Sequence, residues 1–547
     1  MKKFWLAMIA LALAASMADA QTYKVLYNFG SKSGDPLGPF YGVIAQGRDG
    51  SLYSTSFQGG SFPILSGTVF RITLEGKPTV LYSFHGSDGA NPVGGLTLGT
   101  DGQFYGTTNW GGPGAEKGRI FKITPGGTMT FLHDFTSGDG FPFAAPVQGI
   151  DGNFYGTTTN EITHYGADEG AVYKMTPSGA YTRLHVFGSN VASVGGPDGP
   201  VVQGKDGKFY GIVWCCDRSF FKITPSVDFQ TLGTAGLGYL LRPLPLTSGL
   251  IQGSDGNFFG ASPGSGVRPN GIVFKLTPAG TFILLHGLDG HGDGAFPIAS
   301  LVQATDGNFY GTAQFGGAPS LIGSPGCGTI FQVTSAGLFT TVYTFPSDGS
   351  MGCNPAGTLV QHTNGLLYGA AESGPWGNTG GVFFSLDLGL PPFVRFIPEA
   401  SRVGQTVGIF GQSFTGTTAV NFNGTPASFT VLSDTYLTAP VPSGATTGFV
   451  IVTTPGGTLT SNKKFQVRPQ VLSFSPASGP VGTTVVITGV SLGGATRVTF
   501  GSTQTSFTQS SDTQVTATVP SGALTGHVGV TTTGAASYGH DVFTVTP

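Results

Sequence analysis

Charge is scarce in this chain. Only 10% of its 547 residues are Asp, Glu, Lys or Arg, which removes the long charged faces that solvent-exposed helices carry and leaves little helix to expect. The formal net charge is −3 and the Lys and Arg residues are scattered singly. No basic stripe exists to neutralise a phosphate backbone, so nucleic acid is excluded as a partner. Cysteine is nearly absent too. The four, Cys215, Cys216, Cys327 and Cys353, are too few for a disulfide scaffold and lack the paired spacing of a zinc site. Beyond the first twenty residues no run is long and apolar enough to span a bilayer as a helix. HExxH, the P-loop and a dinucleotide fingerprint following a strand are missing. GxSxG occurs at 260–264 and 489–493. Neither is followed by the helical pattern that a nucleophile elbow needs, and both are chance in so Gly-rich a chain.

What is abundant is glycine, 91 residues, and aromatic residues at 12%, a turn-rich β composition in a chain too long for one core. At the start, Lys2 and Lys3 precede an apolar run, Phe4 to Ala15, and then Ala18-Asp19-Ala20. This is the pattern of a cleaved secretory signal, residues 1–20, with the mature chain starting at Gln21. The expectation is a secreted or cell-surface protein exported by the general secretory route, released or held non-covalently, with no transmembrane segment in the mature chain.

A DG-x-x-Y-G phrase recurs at Asp49, Asp101, Asp151, Asp206, Asp255, Asp306 and, as NGLLYG, Asn364. Seven copies at about fifty residues have the period of kelch-type propeller blades. Each copy reads as four strands, in the sixth Leu301 to Gln303, Phe309 to Thr312, Thr329 to Val333 and Phe339 to Phe345. Asp-Gly closes the first hairpin because Gly accepts positive φ, and TP-x-G closes the second. The seventh copy lacks a fourth strand, and an orphan fourth-strand phrase, Tyr23 to Phe29, stands directly after the leader. One completes the other. The predicted fold class is therefore all-β: a seven-bladed β-propeller of four-stranded blades at 21–390, with its ring closed by Tyr23–Phe29 against the segment near Gly381–Leu386. A parallel stack of β-solenoid coils is the alternative.

After Pro392 the texture changes to Val, Thr and Ser, and SDTYLTAPVPSGATTG at Ser433 returns as SDTQVTATVPSGALTG at Ser511. Two Ig-like β-sandwiches follow, at 391–468 and 469–547. The phrases DGNFYGTT, G-x-V-F-K-x-TP-x-G and L-x-x-F resemble the GloVer tandem repeats of exported bacterial proteins. The series F-x-P, V-G-x-x-V-x-I-x-G, VPSGA and F-x-V resembles the IPT/TIG Ig-like domain. The first resemblance implies a surface-associated protein without an agreed activity, and the second a spacer or second adhesive surface.

Three classes of function remain open: a binding or adhesion protein for carbohydrate or protein ligands, an extracellular polysaccharide lyase or hydrolase, and a structural envelope or matrix component. No catalytic residues are assigned and no enzymatic activity is compelled. The Asp of each DG turn is expected to bond its own turn, and the Tyr or Phe of each FYG to pack between blades. Two irregular segments are candidates for more: 160–169, with Glu161, His164, Asp168 and Glu169, as an acid/base pair, and 287–293, where Asp289 and Asp293 alternate with Gly, as a Ca²⁺ loop. No other cofactor is indicated. Binding is expected on the face carrying the longer loops, through Trp110, Trp214 and Trp376 together with Phe57, Tyr165 and Phe315, aromatic rings suited to a polysaccharide or an extracellular protein. Antiparallel order places Cys327 and Cys353 on that same face, where the oxidising compartment favours a disulfide between them.

Overall fold

The computed structural model describes residues 21–39, 42–61, 66–113, 117–136, 138–159, 170–187, 196–197, 199–213, 219–234, 249–264, 268–318, 326–373, 380–532 and 536–547. Residues 1–20, expected to be a leader, lie outside them. The described elements are strands, and no helix among the described residues is long and apolar enough to cross a membrane. The chain divides into two compact units, one ending at Pro391 and the next beginning at Pro392.

Among the described residues the first unit contains seven four-stranded antiparallel sheets, one for each DG phrase. In the sixth, Val302–Gln303, Phe309–Ala313, Thr329–Val333 and Phe339–Thr344 pair in chain order. The seventh is composite. Thr22–Asn28 is hydrogen-bonded to Val382–Asp387, which continues to Leu367–Ala371 and Val360–Gln361. Every pairing of third with fourth strand has one register irregularity. The unpaired residue is the Leu or Val of the L-x-x-F phrase: Leu81, Leu132, Leu184, Leu232, Leu285 and Val342, and in the composite sheet Leu26. Such a bulge sharpens the local twist. Its presence at Leu26 marks Thr22–Asn28 as a true fourth strand.

The second strands join the sheets to one another. In each, the first residue faces the preceding sheet and the second faces the following one. Tyr53 stacks on Phe104, Tyr105 on Phe154, Tyr155 on Phe209, and Phe259 on Phe309, with centroids 3.8–4.1 Å apart, and Tyr210 meets Phe258 at 4.1 Å. Where the repeat has Leu instead of Phe, Tyr310 shares a core with Leu367, and Tyr368 shares one with Leu52. That last contact joins the seventh sheet to the first. The sheets form a closed, propeller-like ring, and the FYG aromatics are its packing.

The second unit is a pair of two-sheet sandwiches. In the first, Thr406–Phe410 and Tyr436–Pro440 lie in one sheet, and Ala419–Phe422 and Gly448–Thr454 in the other. Alternate residues from both, including Val407, Ile409, Leu437, Val420, Phe422, Val450 and Val452, fill the core, as aligned sandwiches require. The second sandwich repeats this around Val485, Ile487, Val498, Phe500, Val528 and Val530.

Candidate functional site

Antiparallel order puts the DG and TP-x-G turns on one face of the ring, and that face is bonded to itself. The DG carboxylate accepts the N–H two residues on, at 3.0–3.2 Å in Asp49, Asp101, Asp151, Asp255 and Asp306. It also accepts the Tyr hydroxyl four residues on, for Asp49, Asp101, Asp151 and Asp306. Burial works against the Asp151 carboxylate, but donors from Asn153 and Tyr155 outweigh it and hold the group below its ordinary range; the same pairing and burial push Tyr155 up. The Gln of each V-Q first strand reaches the preceding sheet's turn. Gln148 clamps Thr100, Gln203 the Ile150 N–H, Gln303 Ser254, and Gln361 Thr305. Gln46 closes the circle by donating to Thr363 Oγ1 at 2.8 Å and accepting the Thr363 N–H at 3.3 Å. These groups are engaged in the ring's own hydrogen bonds.

The opposite face carries the connections after the second and fourth strands. After the fourth strand an Asp closes the loop on itself. Asp35 accepts from the Tyr27 hydroxyl and the Lys32 N–H, Asp88 from the Tyr82 hydroxyl and the His85 N–H, and Asp139 from the Thr136 N–H. The segment singled out for Ca²⁺ is of this kind. Asp293 takes the Asp289 N–H and the His286 ring, and Asp289 takes the His291 N–H. Both carboxylates serve to hold the turn.

Of the six aromatic candidates, the structure describes three. Trp110 follows the second strand of the second sheet, bonded backbone to backbone with Ala90, and is 40% exposed. Its indole lies 4.9 Å from Phe141 on the loop entering the third sheet, and Lys117 Nζ is 4.1 Å from the Phe141 ring centre. Phe315 has the matching place in the sixth sheet, paired with Ala295 and edge-on to Phe296 at 5.7 Å. Phe57 stands one position earlier and is half-buried. The structure therefore does not place Phe57 in register with Trp110 and Phe315, because strand residues one apart face opposite sides. Trp214, Tyr165 and Trp376 lie outside the described residues, as do the acid-rich segment 160–169, Cys215 and Cys216. Cys327 and Cys353 are joined by a disulfide, Cα–Cα 4.4 Å, which ties the loop before a third strand to the loop entering the next sheet.

Sequence reasoning missed Phe141, which meets Trp110 only because two connections share a rim, and Lys117, which lies over the Phe141 ring. It also missed three polar residues that directly follow second strands, Asn109, Gln314 and Glu372. Asn109 and Gln314 are each 6% exposed, and the Asn109 Oδ1 and Gln314 Oε1 atoms have no hydrogen-bond partner among the described residues. Gln314 Nε2 donates to Glu372 Oε2 of the next sheet at 3.4 Å. Burial pushes the Glu372 carboxyl up from its ordinary value, against the Gln314 bond, which lowers it.

Comparison with curated proteins finds no match. Solved structures with similar segments include a fungal alcohol oxidase of the AA5 family in complex with copper (14% identity, 82% of this chain and 100% of that one, TM-score 0.47). Two others are the surface glycan-binding protein PbSGBP-B from Prevotella bryantii (17%, 28% of this chain and 41% of that one, TM-score 0.21) and SGBP-B from a xyloglucan utilization locus in Bacteroides uniformis (18%, 28% and 48%, TM-score 0.15). At these values none of them bears on what this chain does. Family models match the chain as well: the IPT/TIG domain at 391–467 and 469–545, and the Gloeobacter/Verrucomicrobia repeat at 14–216 and 217–407. The chain belongs to the Gloeobacter/Verrucomicrobia repeat family and carries two IPT/TIG domains.

Proposed function

We propose that this is an exported binding protein whose repeat domain, residues 21–390, holds a neutral polysaccharide on the face of the longer loops. The modules at 391–468 and 469–547 act as spacer or second adhesive surface. The observation that carries the reading is Trp110, a large ring 40% exposed and backed by Phe141. A braced aromatic face stacks on a sugar ring at low conformational cost. The scarcity of charge, 10% of residues, suits a neutral ligand. The DG-turn face is occupied by its own hydrogen bonds, whereas connections over a rigid scaffold are where binding residues concentrate.

The test is a glycan array followed by calorimetric titration of the full chain and of Trp110→Ala. The parent should bind at least one neutral polysaccharide, and Trp110→Ala should weaken it by about tenfold or more, as expected for an aromatic anchor, with its melting temperature unchanged. Equal affinity in the variant, or no binding by the parent, removes the reading.

A further inference from the structure

Counting from the Phe or Leu that opens each second strand, positions two, four and six face the following sheet. Position two is the stacking Tyr or Phe. Position four supplies hydroxyls to the next sheet: Thr107 to the Ala144 carbonyl, Thr157 to Gly199, and Thr312 to Gly357. Position six, nearest the loops, is occupied among the described residues by Phe57, Asn109, Thr159, Pro263, Gln314 and Glu372. Apolar residues stand there in two of these repeats, so the fold does not require a polar group. Yet Asn109 and Gln314 are both nine-tenths buried, each with its side-chain carbonyl oxygen unpartnered among the described residues. A buried acceptor without a donor is a cost that an apolar side chain of similar volume avoids.

The backbone at these places is also distinctive. The N–H groups of Asn109, Gln314 and Glu372 donate to the carbonyls of Asn91, Phe296 and Asn354. Those three residues have φ of 54°, 57° and 59° and each precedes a Pro. Non-Gly residues in the left-handed region are uncommon and cluster at functional sites. The Glu372 strand end is braced further: Cys353 pairs with Ser373 across the bridge, and the Asn354 N–H donates to the Cys327 carbonyl beside the disulfide. Rigid backbone of this kind holds a polar group in place for a ligand.

We propose that Gln314 and Glu372, at the junction of the sixth and seventh sheets, form a subsite that takes the hydroxyl groups of one residue of a neutral sugar chain, with Asn109 as a second such anchor in the second sheet. A hydroxyl donates to the Gln314 carbonyl oxygen and accepts from or donates to the Glu372 carboxyl, whose burial favours its neutral form. This rests on the polysaccharide reading and deepens it, since it names hydroxyl recognition where the exposed Trp110 supplies only stacking.

The test titrates the full chain with cellohexaose, xylohexaose and mannohexaose, and compares the parent with Gln314→Met, Glu372→Met and Trp110→Ala. Met is close to Gln and Glu in volume and leaves no buried acceptor. Gln314→Met should weaken binding about tenfold or more while raising the melting temperature of the unliganded protein by about 1–3 °C, because it removes an unsatisfied group. Glu372→Met should weaken binding to a similar degree. A structural role for Gln314 instead predicts a lower melting temperature, and that result, or unchanged affinity in both Met variants, overturns the subsite. If those variants bind normally and Trp110→Ala does not, the face survives and the subsite is lost; if the reverse holds, the subsite stands without the aromatic platform. Failure of all three hexasaccharides to bind the parent overturns both, and loss of parent binding in EDTA would replace hydroxyl recognition by a bound cation.

Discussion

Removing residues 21–29 should destabilise the entire ring, because the strand Thr22–Asn28 is the outer strand of the seventh sheet and joins the N-terminal end of the repeat unit to its C-terminal end by pairing with Val382–Asp387. Tyr23 stacks on Tyr343 of the sixth sheet at 4.1 Å, and Phe29 is fully buried 5.5 Å from Phe70 of the first. The strand therefore binds its own sheet and both neighbours. Phe29→Ala alone should cost about 3–5 kcal/mol, the usual range for emptying a buried Phe site. With an unfolding entropy of about 2.1 cal/mol/K per residue over roughly 370 residues, a cooperative ring should lose about 4–6 °C in melting temperature from that one change. Deletion of the strand should lose more and expose the edge of Val382–Asp387 to aggregation. Scanning calorimetry of the parent, Phe29→Ala and the deletion decides the matter. In an open array a terminal strand unfolds locally and leaves the other repeats' midpoint unchanged, so an unaltered main transition in the deletion refutes closure.

Replacing Cys327 and Cys353 by Ser releases a loop of sequence separation 26 and should lower stability by about 3 kcal/mol through the unfolded state, measured by denaturant titration with dithiothreitol-treated parent as the comparison. Tyr105→Phe removes only the hydroxyl that bonds Asp101 at 2.8 Å and should cost about 1 kcal/mol; Tyr105→Ala also removes the stack on Phe154 and should cost about 3–5 kcal/mol. His133 and His185 stack on Tyr181 and Phe229 at 3.8 and 3.6 Å, and burial lowers the pKa of both. A His depressed in the folded state stays neutral there while the unfolded chain takes up protons. Its contribution is complete above the unfolded value of about 6.5 and declines as pH falls through the lower folded value, so the melting temperature should drop between pH 7.5 and 5, and His133→Gln with His185→Gln should flatten that slope.

The repeat count and the exchange of a strand between the two ends of the ring were legible because both are written in short phrases: DG-x-x-Y-G places the turn, and L-x-x-F places a bulge that recurs at Leu26. The Gln clamps were missed: V-Q recurs six or seven residues before the FYG phrase, but the pattern discloses no partner. The loop face was hidden for a different reason. Trp110 meets Phe141 across two connections, with Lys117 over the Phe141 ring, and no spacing rule relates residues brought together by neighbouring sheets. Asn109, Gln314 and Glu372 share a position in the repeat phrase but not a residue type, so the phrase aligns them without disclosing their burial or their partners. Phe57 stands one residue before the place that Trp110 holds, which on a strand is the difference between its two sides.

The central claim, that the longer-loop face is where this protein binds, is tested most directly by hydrogen–deuterium exchange of the full chain with and without a polysaccharide found by array. The account predicts protection at 85–92, 109–113, 138–143, 291–297, 314–318 and 352–356, with the DG and TP-x-G turns at 49–51, 101–103, 306–308 and 334–337 unchanged. Protection confined to those turns, or to residues 392–547, would contradict it.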